Sequence, residues 1–247
     1  MALREEFEKI GNWFFRWRSY FPLLLIFLFS NALKTTWYSS YPDVWDRVWE
    51  FFSFFVAMIG LLIRMYVSGC VPRNTSGRNV SEQRAQSMNT TGLYSLVRHP
   101  LYLGNFLIWM GAALFVRSWW LVLAAAFIFW FYYEKIMYAE EEFLRREFGE
   151  AFSNWADQTP AFLPLHLKLW KAPELGFKFK NALRREYSGF FGIISVFALI
   201  KLIQDRLTYG WFAIDLVWFI IFLIGLAIYV TLLTLKKRTH FLDVEGR

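Results

Sequence analysis

Cysteine and histidine are scarce in this chain of 247 residues, which contains one cysteine and three histidines. The single Cys70 cannot form an internal disulfide and has no CxxC partner for a zinc or redox site. The histidines His99, His166 and His240 are too scattered in sequence to indicate a set of metal ligands. We therefore expect neither a disulfide framework nor a bound metal.

Charged residues are also few, because they make up 19% of the chain while hydrophobic residues make up 57% and aromatic residues 21%. A soluble domain would be nearer half apolar, with fewer Trp and Phe. The 13 Trp and 28 Phe are typical of a protein whose rings lie at membrane interfaces. The composition therefore favours one helical domain within a membrane.

The net charge of +7 makes nucleic acid a conceivable partner. However, the basic residues cluster in the connections between apolar runs, where they fit membrane topology and anionic lipid headgroups better. We therefore expect membrane lipids as partners and no nucleic acid.

Six apolar segments predict an all-α, polytopic transmembrane bundle with about six spans. They cover residues 20–38, 48–68, 101–116, 119–139, 187–203 and 211–235. The third is short for a span, which needs roughly 20 residues. We expect a single membrane domain over residues 1–247, made of an N-terminal helix pair (20–68), a central core (69–164) and a C-terminal helix pair (165–247).

The basic residues also predict the orientation of these segments. If all six span, the arginine- and lysine-rich connections fall on one side, and both termini are cytoplasmic. On that side, an apolar stripe predicts an interfacial helix along the membrane surface, broken by Gly149 and ended by Pro160. The stripe consists of Phe143, Leu144, Phe148, Phe152 and Trp155.

The triplet Arg98-His99-Pro100 stands at the start of the third apolar segment. Its simplest interpretation is a basic helix start, because Pro is well tolerated at the first helical position. Ionisable groups near lipid nevertheless need a partner or a function. Gly104 follows at close spacing and would let another helix or a ligand approach the backbone.

Three adjacent carboxylates, Glu140, Glu141 and Glu142, follow the fourth segment. A solvated acidic face paired with Arg145 and Arg146 would explain them by themselves. The third and fourth segments, however, are joined by a very short turn. The hairpin should therefore bring the Arg98–Gly104 stretch and the acidic pair to the same end, as a compact polar site at the membrane boundary.

Together these motifs resemble the membrane methyltransferases typified by isoprenylcysteine carboxyl methyltransferase and the phospholipid N-methyltransferases. The shared pattern is G-x-Y-x-x-x-R-H-P-x-Y-x-G, then a paired Glu, F-G and a Pro-ended aromatic stretch, over about residues 88–164. The resemblance implies a methyltransferase that uses S-adenosylmethionine, with Arg98 and Arg145 as catalytic residues. It implies a cofactor site formed by Tyr94, Arg98, His99, Pro100, Tyr102, Leu103, Gly104, Glu140 and Glu141.

The identity of the methyl acceptor is a separate question. A phosphate or carboxylate oxygen is already nucleophilic, whereas an amine must lose a proton, and the sequence offers no clear dedicated base. Within the family, the chain is most similar to bacterial proteins proposed to methylate a lipid A phosphate. We therefore expect a lipid A phosphate as acceptor, in the bacterial inner membrane. The expected headgroup ligands are Arg73, Arg78, Arg84 and Asn89, although ordinary positive-inside charge explains the arginines equally well.

Three alternatives stay open. In the first alternative the acceptor is a prenylcysteine carboxyl group, and in the second it is a phospholipid amine. In the third, the protein is a non-catalytic membrane scaffold or a transporter, against which the crowding of polar residues at one interface argues. The sequence leaves the oligomeric state open.

Overall fold

In the computed structural model of the protein, residues 3–18, 20–36, 44–72, 87–165 and 167–244 are described. Eight α-helices dominate these parts of the chain. They are α1 (Leu3–Trp17), α2 (Phe21–Thr35), α3 (Val44–Cys70), α4 (Pro100–Phe115), α5 (Trp119–Phe148), α6 (Glu150–Gln158), α7 (Phe179–Tyr209) and α8 (Leu216–Arg238).

Four of these helices, α3, α5, α7 and α8, are long and apolar enough to cross a membrane. The first and third predicted segments form α2 and α4, which have 15 and 16 residues. Both are shorter than the roughly 20 residues that a span needs. The predicted helical membrane bundle is confirmed, but within the described ranges four helices rather than six have the length of a span.

Small residues let α3 and α4 pack closely. A Cβ atom added to Gly104 would lie 2.7 Å from the carbonyl oxygen of Gly60, and one added to Gly111 would lie 2.7 Å from that of Ser53. Close backbone approach of this kind is a common device for helix association in membranes. Gly104 therefore faces another helix.

A tight turn connects α4 to α5 and makes them a hairpin. Arg117 in this turn has a positive φ of 62° and donates hydrogen bonds to the side chain and backbone of Asp46, at the start of α3. The indole of Trp49 donates to the carbonyl oxygen of Leu114, at a distance of 2.8 Å. The start of α3 thus lies beside the end of α4. We call the opposite end of the bundle, where α3 and α5 finish and α4 and α7 begin, the His99 end.

The predicted interfacial helix is shorter than the apolar stripe suggested. Gly149 adopts a positive φ of 55°, which ends α5 and separates it from the nine-residue α6. Phe143, Leu144 and Phe148 therefore belong to the last turns of the spanning helix α5. Phe152 and Trp155 lie on α6, and Phe152 is buried.

The amphipathic helix α1 lies along α5. The ring of Phe14 stacks on Tyr132 with centroids 4.4 Å apart, and the Tyr132 hydroxyl donates to the Phe14 carbonyl oxygen at 2.7 Å. Two ion pairs continue the contact, from Glu8 to Arg146 at 2.6 Å and from Arg4 to Glu142. Glu142 is thus engaged by α1.

A group of charges ties α7 and α8 to α3 at the end opposite His99, and we call it the far-end charge cluster. The ammonium group of Lys201 lies 3.0 Å from Glu50 and 3.2 Å from Asp205. Arg47 bonds Glu50 at 2.7 Å and Asp215 at 2.8 Å. Because these groups are mostly buried, each depends on its partners for compensation.

Candidate active site

The predicted motif residues begin where α4 begins. The backbone N–H groups of Arg98 and His99 donate to the carbonyl oxygens of Pro160 and Ala161, at 2.9 and 3.1 Å. His99 is the N-cap residue of α4, and Pro100 occupies the first helical position as expected. The segment after α6 therefore fixes the position from which the His99 side chain enters the bundle.

The imidazole of His99 lies between two carboxylates and is 6% exposed. Its Nε2 is 2.9 Å from Glu141 Oε1, and its Nδ1 is 3.5 Å from Glu140 Oε2. Since ionised carboxylates only accept hydrogen bonds, this arrangement favours a proton on both ring nitrogens. Burial by itself would lower the pKa of His99, but the interactions with Glu140 and Glu141 outweigh it and raise that pKa above its ordinary value.

Arg98 and Glu141 form a clamp between α5 and α6. The Nε and Nη2 atoms of Arg98 donate to the two carboxylate oxygens of Glu141, at 2.8 and 3.3 Å. Its Nη1 donates to the carbonyl oxygens of Ala156 and Thr159 at the end of α6, at 2.7 and 2.8 Å. Such bonds satisfy carbonyls that a helix leaves without internal partners. Arg98 is therefore fully engaged in holding the site together.

Glu140 has more capacity left than Glu141. It accepts a hydrogen bond of 2.8 Å from the Tyr102 hydroxyl, and its side chain is 22% exposed. A carboxylate has about four acceptor positions, so Glu140 can also bind a ligand's donors. The Tyr102 ring stacks on His99 and lies 4.9 Å from the Tyr133 ring, which gives the site an aromatic wall.

A cavity lies beside Tyr94, six residues before Pro100. Its wall includes Tyr66, Cys70, Asn89, Thr91, Tyr94 and Pro173. Burial raises the pKa of Tyr94, the carboxylate of Glu140 raises it further and the guanidinium of Arg185 opposes this effect. Tyr94, a predicted cofactor ligand, and Asn89, a predicted substrate ligand, both line this cavity, whereas His99, Glu140 and Glu141 do not.

Arg64 of α3 also lies beside the site, although we did not assign it from the sequence. Its guanidinium bonds Glu186 of α7 at 2.8 and 2.9 Å and Asn105 of α4 at 2.6 Å. Glu186 in turn accepts a bond of 3.0 Å from Ser68. An arginine inside an apolar helix was the available signal, since such residues are rare in spans and are commonly functional.

The remaining predicted site residues are placed as follows. Leu103 packs among the aromatic residues between α4 and α5. Gly104 contacts α3, as described above. Arg145 is half exposed, 3.5 Å from Glu142 and 6.0 Å from the Phe152 ring centroid. Its catalytic role, like that of Arg98, stays a prediction. Arg73, Arg78 and Arg84 lie outside the described residues.

The fold and the site define an integral membrane protein with a buried, aromatic-lined polar centre at one end of a helical bundle. Residues 52–151 match the sequence profile of the phospholipid methyltransferase family. The resemblance expected from the motifs is thus confirmed over this region, which contains Arg64, the Arg-His-Pro triplet and the paired glutamates.

Several curated proteins are similar to part of this chain. The nickel-cobalt-cadmium resistance protein NccN of Alcaligenes xylosoxydans xylosoxydans is 32% identical over 121 residues, which cover 49% of this chain and 54% of that protein. The protein-S-isoprenylcysteine O-methyltransferase of Schizosaccharomyces pombe is 28% identical over 31% of this chain and 32% of its own length. A probable protein-S-isoprenylcysteine O-methyltransferase of Oryza sativa subsp. japonica is 31% identical over 44% of this chain and 62% of its own length.

These similarities have a limited extent. The chain spans about half of the length of NccN and 39% of the cobalt-zinc-cadmium resistance protein CzcN of Cupriavidus metallidurans. No solved structure matches the chain. Helices α7 and α8 lie outside the family match, although Glu186 of α7 reaches the site.

Proposed function

We propose that the protein is an S-adenosylmethionine-dependent membrane methyltransferase that methylates an oxyanion of a lipid headgroup, with a lipid A phosphate as the preferred acceptor. The observation that carries this proposal is the meeting of Arg98 and His99 with Glu140 and Glu141 at one end of the bundle, inside the region that matches the family. We place this end at the cytoplasmic face of a bacterial inner membrane, with both termini on that side, because the basic connections fall there.

The donor and acceptor groups of the site fit S-adenosylmethionine. Glu140 has acceptor positions for an ammonium group or ribose hydroxyls, and His99 holds Glu140 and Glu141 in place through its two ring nitrogens. The rings of Tyr102 and Tyr133 offer π faces to a sulfonium cation. The cavity beside Tyr94 provides space with aromatic, hydroxyl and amide groups in its wall.

The chemistry requires alignment more than proton transfer. When bound, S-adenosylmethionine supplies an electrophilic methyl carbon on a positive sulfur; the acceptor oxygen bonds to this carbon as the carbon–sulfur bond breaks, and the sulfur keeps the electron pair as a neutral thioether. The residues of this chain orient the reactants and exclude water. Arg98 and Glu141 contribute by holding α6 over the site.

Arg64 favours an oxyanion as acceptor. Its guanidinium is always charged and matches the geometry of phosphate and carboxylate, whereas it would repel a protonated amine. This preference supports a lipid A phosphate, with a prenylcysteine carboxyl group as the second candidate because several relatives carry that activity in their names. The names of two other relatives refer to metal resistance. Among the described residues, no group of three or more His, Cys, Asp and Glu side chains supports a metal site.

Calorimetry with S-adenosylmethionine tests the cofactor assignment. We expect the purified protein to bind the cofactor and Glu140→Gln to lose most of that affinity while it remains folded. The matched variant Glu141→Gln removes the partner of Arg98 and His99, so it should lower thermal stability, because breaking a buried ion pair costs about 3–5 kcal/mol. Retained affinity in Glu140→Gln would refute this site. No binding to the folded wild-type protein would instead support the scaffold or transporter alternative.

Mass spectrometry of total lipids, from cells with and without the gene, tests the acceptor. A gain of one methyl group on a phosphate of lipid A is the expected result. A gain confined to prenylated peptides would support the carboxyl alternative, and a gain on a phospholipid amine would contradict the oxyanion assignment.

A further inference from the structure

The ion pair between Arg64 and Glu186 joins the region that matches the family to a helix outside it. Nε of Arg64 donates a hydrogen bond of 2.9 Å to Oε2 of Glu186, and Nη2 lies 2.8 Å from the same oxygen as an ion-pair contact. The other oxygen, Oε1, accepts from the Ser68 hydroxyl at 3.0 Å. The Glu186 side chain is 4% exposed, so both of its oxygens have fixed partners in a buried environment. Glu186 therefore has one defined orientation.

Arg64 retains donors after these contacts. A guanidinium has five N–H groups. Nε donates to Glu186 and one N–H of Nη1 donates to Asn105, while Nη2 contacts Glu186 as an ion pair. Each Nη atom thus has at least one N–H without a hydrogen-bond partner among the residues that the structure describes. Such groups can donate to an oxygen of a phosphate or carboxylate.

The guanidinium of Arg64 lies close to the proposed cofactor site. Asn105 follows Tyr102 by three residues on α4, so it lies about 4.5 Å further along the same helix face. The side chain of Arg64 passes over Gly104, where an added Cβ would lie 2.7 Å from Arg64 Cγ. Gly104 therefore provides the room through which Arg64 reaches Asn105, next to the Tyr102–Glu140 hydrogen bond.

We propose that Glu186 is a positioning residue, through which α7 orients Arg64 toward the oxyanion of the methyl acceptor. This inference rests on the proposed function. The ion pair keeps Arg64 compensated within the bundle when no acceptor is bound. It also restricts the guanidinium to one orientation, which matters because a misplaced group sharply lowers the rate of an aligned displacement.

The role of Glu186 has a kinetic signature. Removal of its negative charge leaves Arg64 more attractive to an anionic acceptor, so acceptor binding should be equal or tighter. The guanidinium loses its fixed orientation at the same time, so turnover should fall. A residue needed only for stability would not separate kcat from KM in this way.

The experiment uses the full chain in vesicles of phosphatidylethanolamine and phosphatidylglycerol, with lipid A or N-acetyl-S-farnesylcysteine as added acceptor. Transfer of labelled methyl from S-adenosylmethionine gives kcat and the acceptor KM, and calorimetry gives the cofactor affinity. We expect Glu186→Gln to lower kcat about tenfold or more with an unchanged or lower acceptor KM. Ser68→Ala, which removes one bond to Glu186, should have a smaller effect of the same kind. Glu147→Gln removes an exposed carboxylate of α5 and serves as the matched control.

Several results would overturn the inference. They are an unchanged kcat in both Glu186→Gln and Ser68→Ala, a higher acceptor KM at constant kcat, or an equal loss in the Glu147→Gln control. Methylation of phosphatidylethanolamine alone, or of no tested acceptor, would also overturn it, because Arg64 would then have no oxyanion to hold. The proposed function itself fails separately, if the wild-type protein does not bind S-adenosylmethionine.

Discussion

At the scale of single residues, His99 is the most informative group, because two carboxylates face its two ring nitrogens. Arg98 and Tyr102 are its other polar neighbours: Arg98 shares Glu141, and Tyr102 shares Glu140. The arrangement balances two negative charges with a guanidinium and an imidazolium. Loss of the imidazole proton would leave the buried carboxylates undercompensated.

The stability of the cofactor-free protein should therefore depend on the protonation of His99. The pKa of His99 is raised in the folded state. The stabilisation that protonated His99 gives should be complete below a pH of about 6.5, the pKa of histidine in an unfolded chain. It should be lost as the pH rises through the higher pKa of His99 in the folded protein. Thermal unfolding in detergent, measured from acidic to alkaline pH, should show a difference between wild type and His99→Gln that shrinks as the pH rises. A difference that grows with pH would contradict the charged imidazole.

The sequence predicted which residues form the site but not the separate role of each one. Arg98, His99, Glu140 and Glu141 do meet, as the hairpin argument required. Glu141 acts in the clamp through Arg98, which also bonds the carbonyl oxygen of Ala156, and Glu140 bonds Tyr102 and keeps free acceptor positions. Sequence spacing does not predict these partners. Arg64 and Glu186 are 122 positions apart, so only the folded bundle reveals that they are partners.

At the scale of helices, α1 is the element whose placement the sequence left undefined. Its amphipathic pattern is compatible with a membrane surface as well as with a protein surface. In the structure it packs on α5, and Gly11 lies at the closest point. A Cβ on Gly11 would lie 2.8 Å from Ala139 Cβ and 2.9 Å from the carbonyl carbon of Lys135.

Gly11→Ala should therefore displace α1 from α5. Alanine favours a helix over glycine by about 1 kcal/mol, but overpacking typically costs about 1–3 kcal/mol. Hydrogen exchange should become faster over residues 3–17 and remain unchanged in α7. The control is Gly192→Ala on α7, where an added Cβ meets no atom within 4 Å. Unchanged exchange in α1 of the Gly11 variant would contradict the packing.

The helix boundaries show why patterns of hydrophobicity predict elements better than their ends. Each of the six apolar runs coincides with a helix, of which four have the length of a span, because burial in lipid demands continuous apolar sequence. They did not reveal that α5 continues through Glu140 to Phe148, since its last turns are polar and contact α1 and α6. Gly149 was recognised as a break, which its positive φ explains.

At the scale of the whole molecule, two polar clusters fasten α7 to α3, one at each end. Arg64 and Glu186 lie at the His99 end. The far-end charge cluster lies about 21 Å away along α3. This distance follows because Glu50 and Arg64 are 14 positions apart and a helix rises by about 1.5 Å per residue. Charges in the interior of a membrane bundle are expensive unless paired, so each cluster makes the contact between the helices specific.

Removal of Lys201 should destabilise the bundle without affecting the cofactor site. Lys201→Met leaves Glu50, Asp205 and Asp215 with Arg47 as their remaining cation within the cluster, and breaking a buried ion pair costs about 3–5 kcal/mol. Denaturant titration in mixed detergent micelles should show this loss, whereas calorimetry should show an unchanged affinity for S-adenosylmethionine.

The matched control for this prediction is Lys237→Met, because Lys237 is exposed near the end of α8 and its loss changes the net charge equally. A further variant, Lys201→Met with Glu50→Gln, should recover part of the stability, since Arg47 then has two carboxylates of the cluster to compensate instead of three. Equal stability of the Lys201 and Lys237 variants would show that the far-end charge cluster does not hold α7 and α8 on α3. A parallel loss of cofactor affinity would show instead that the two ends of the bundle are coupled, because a purely local anchor cannot change binding at such a distance.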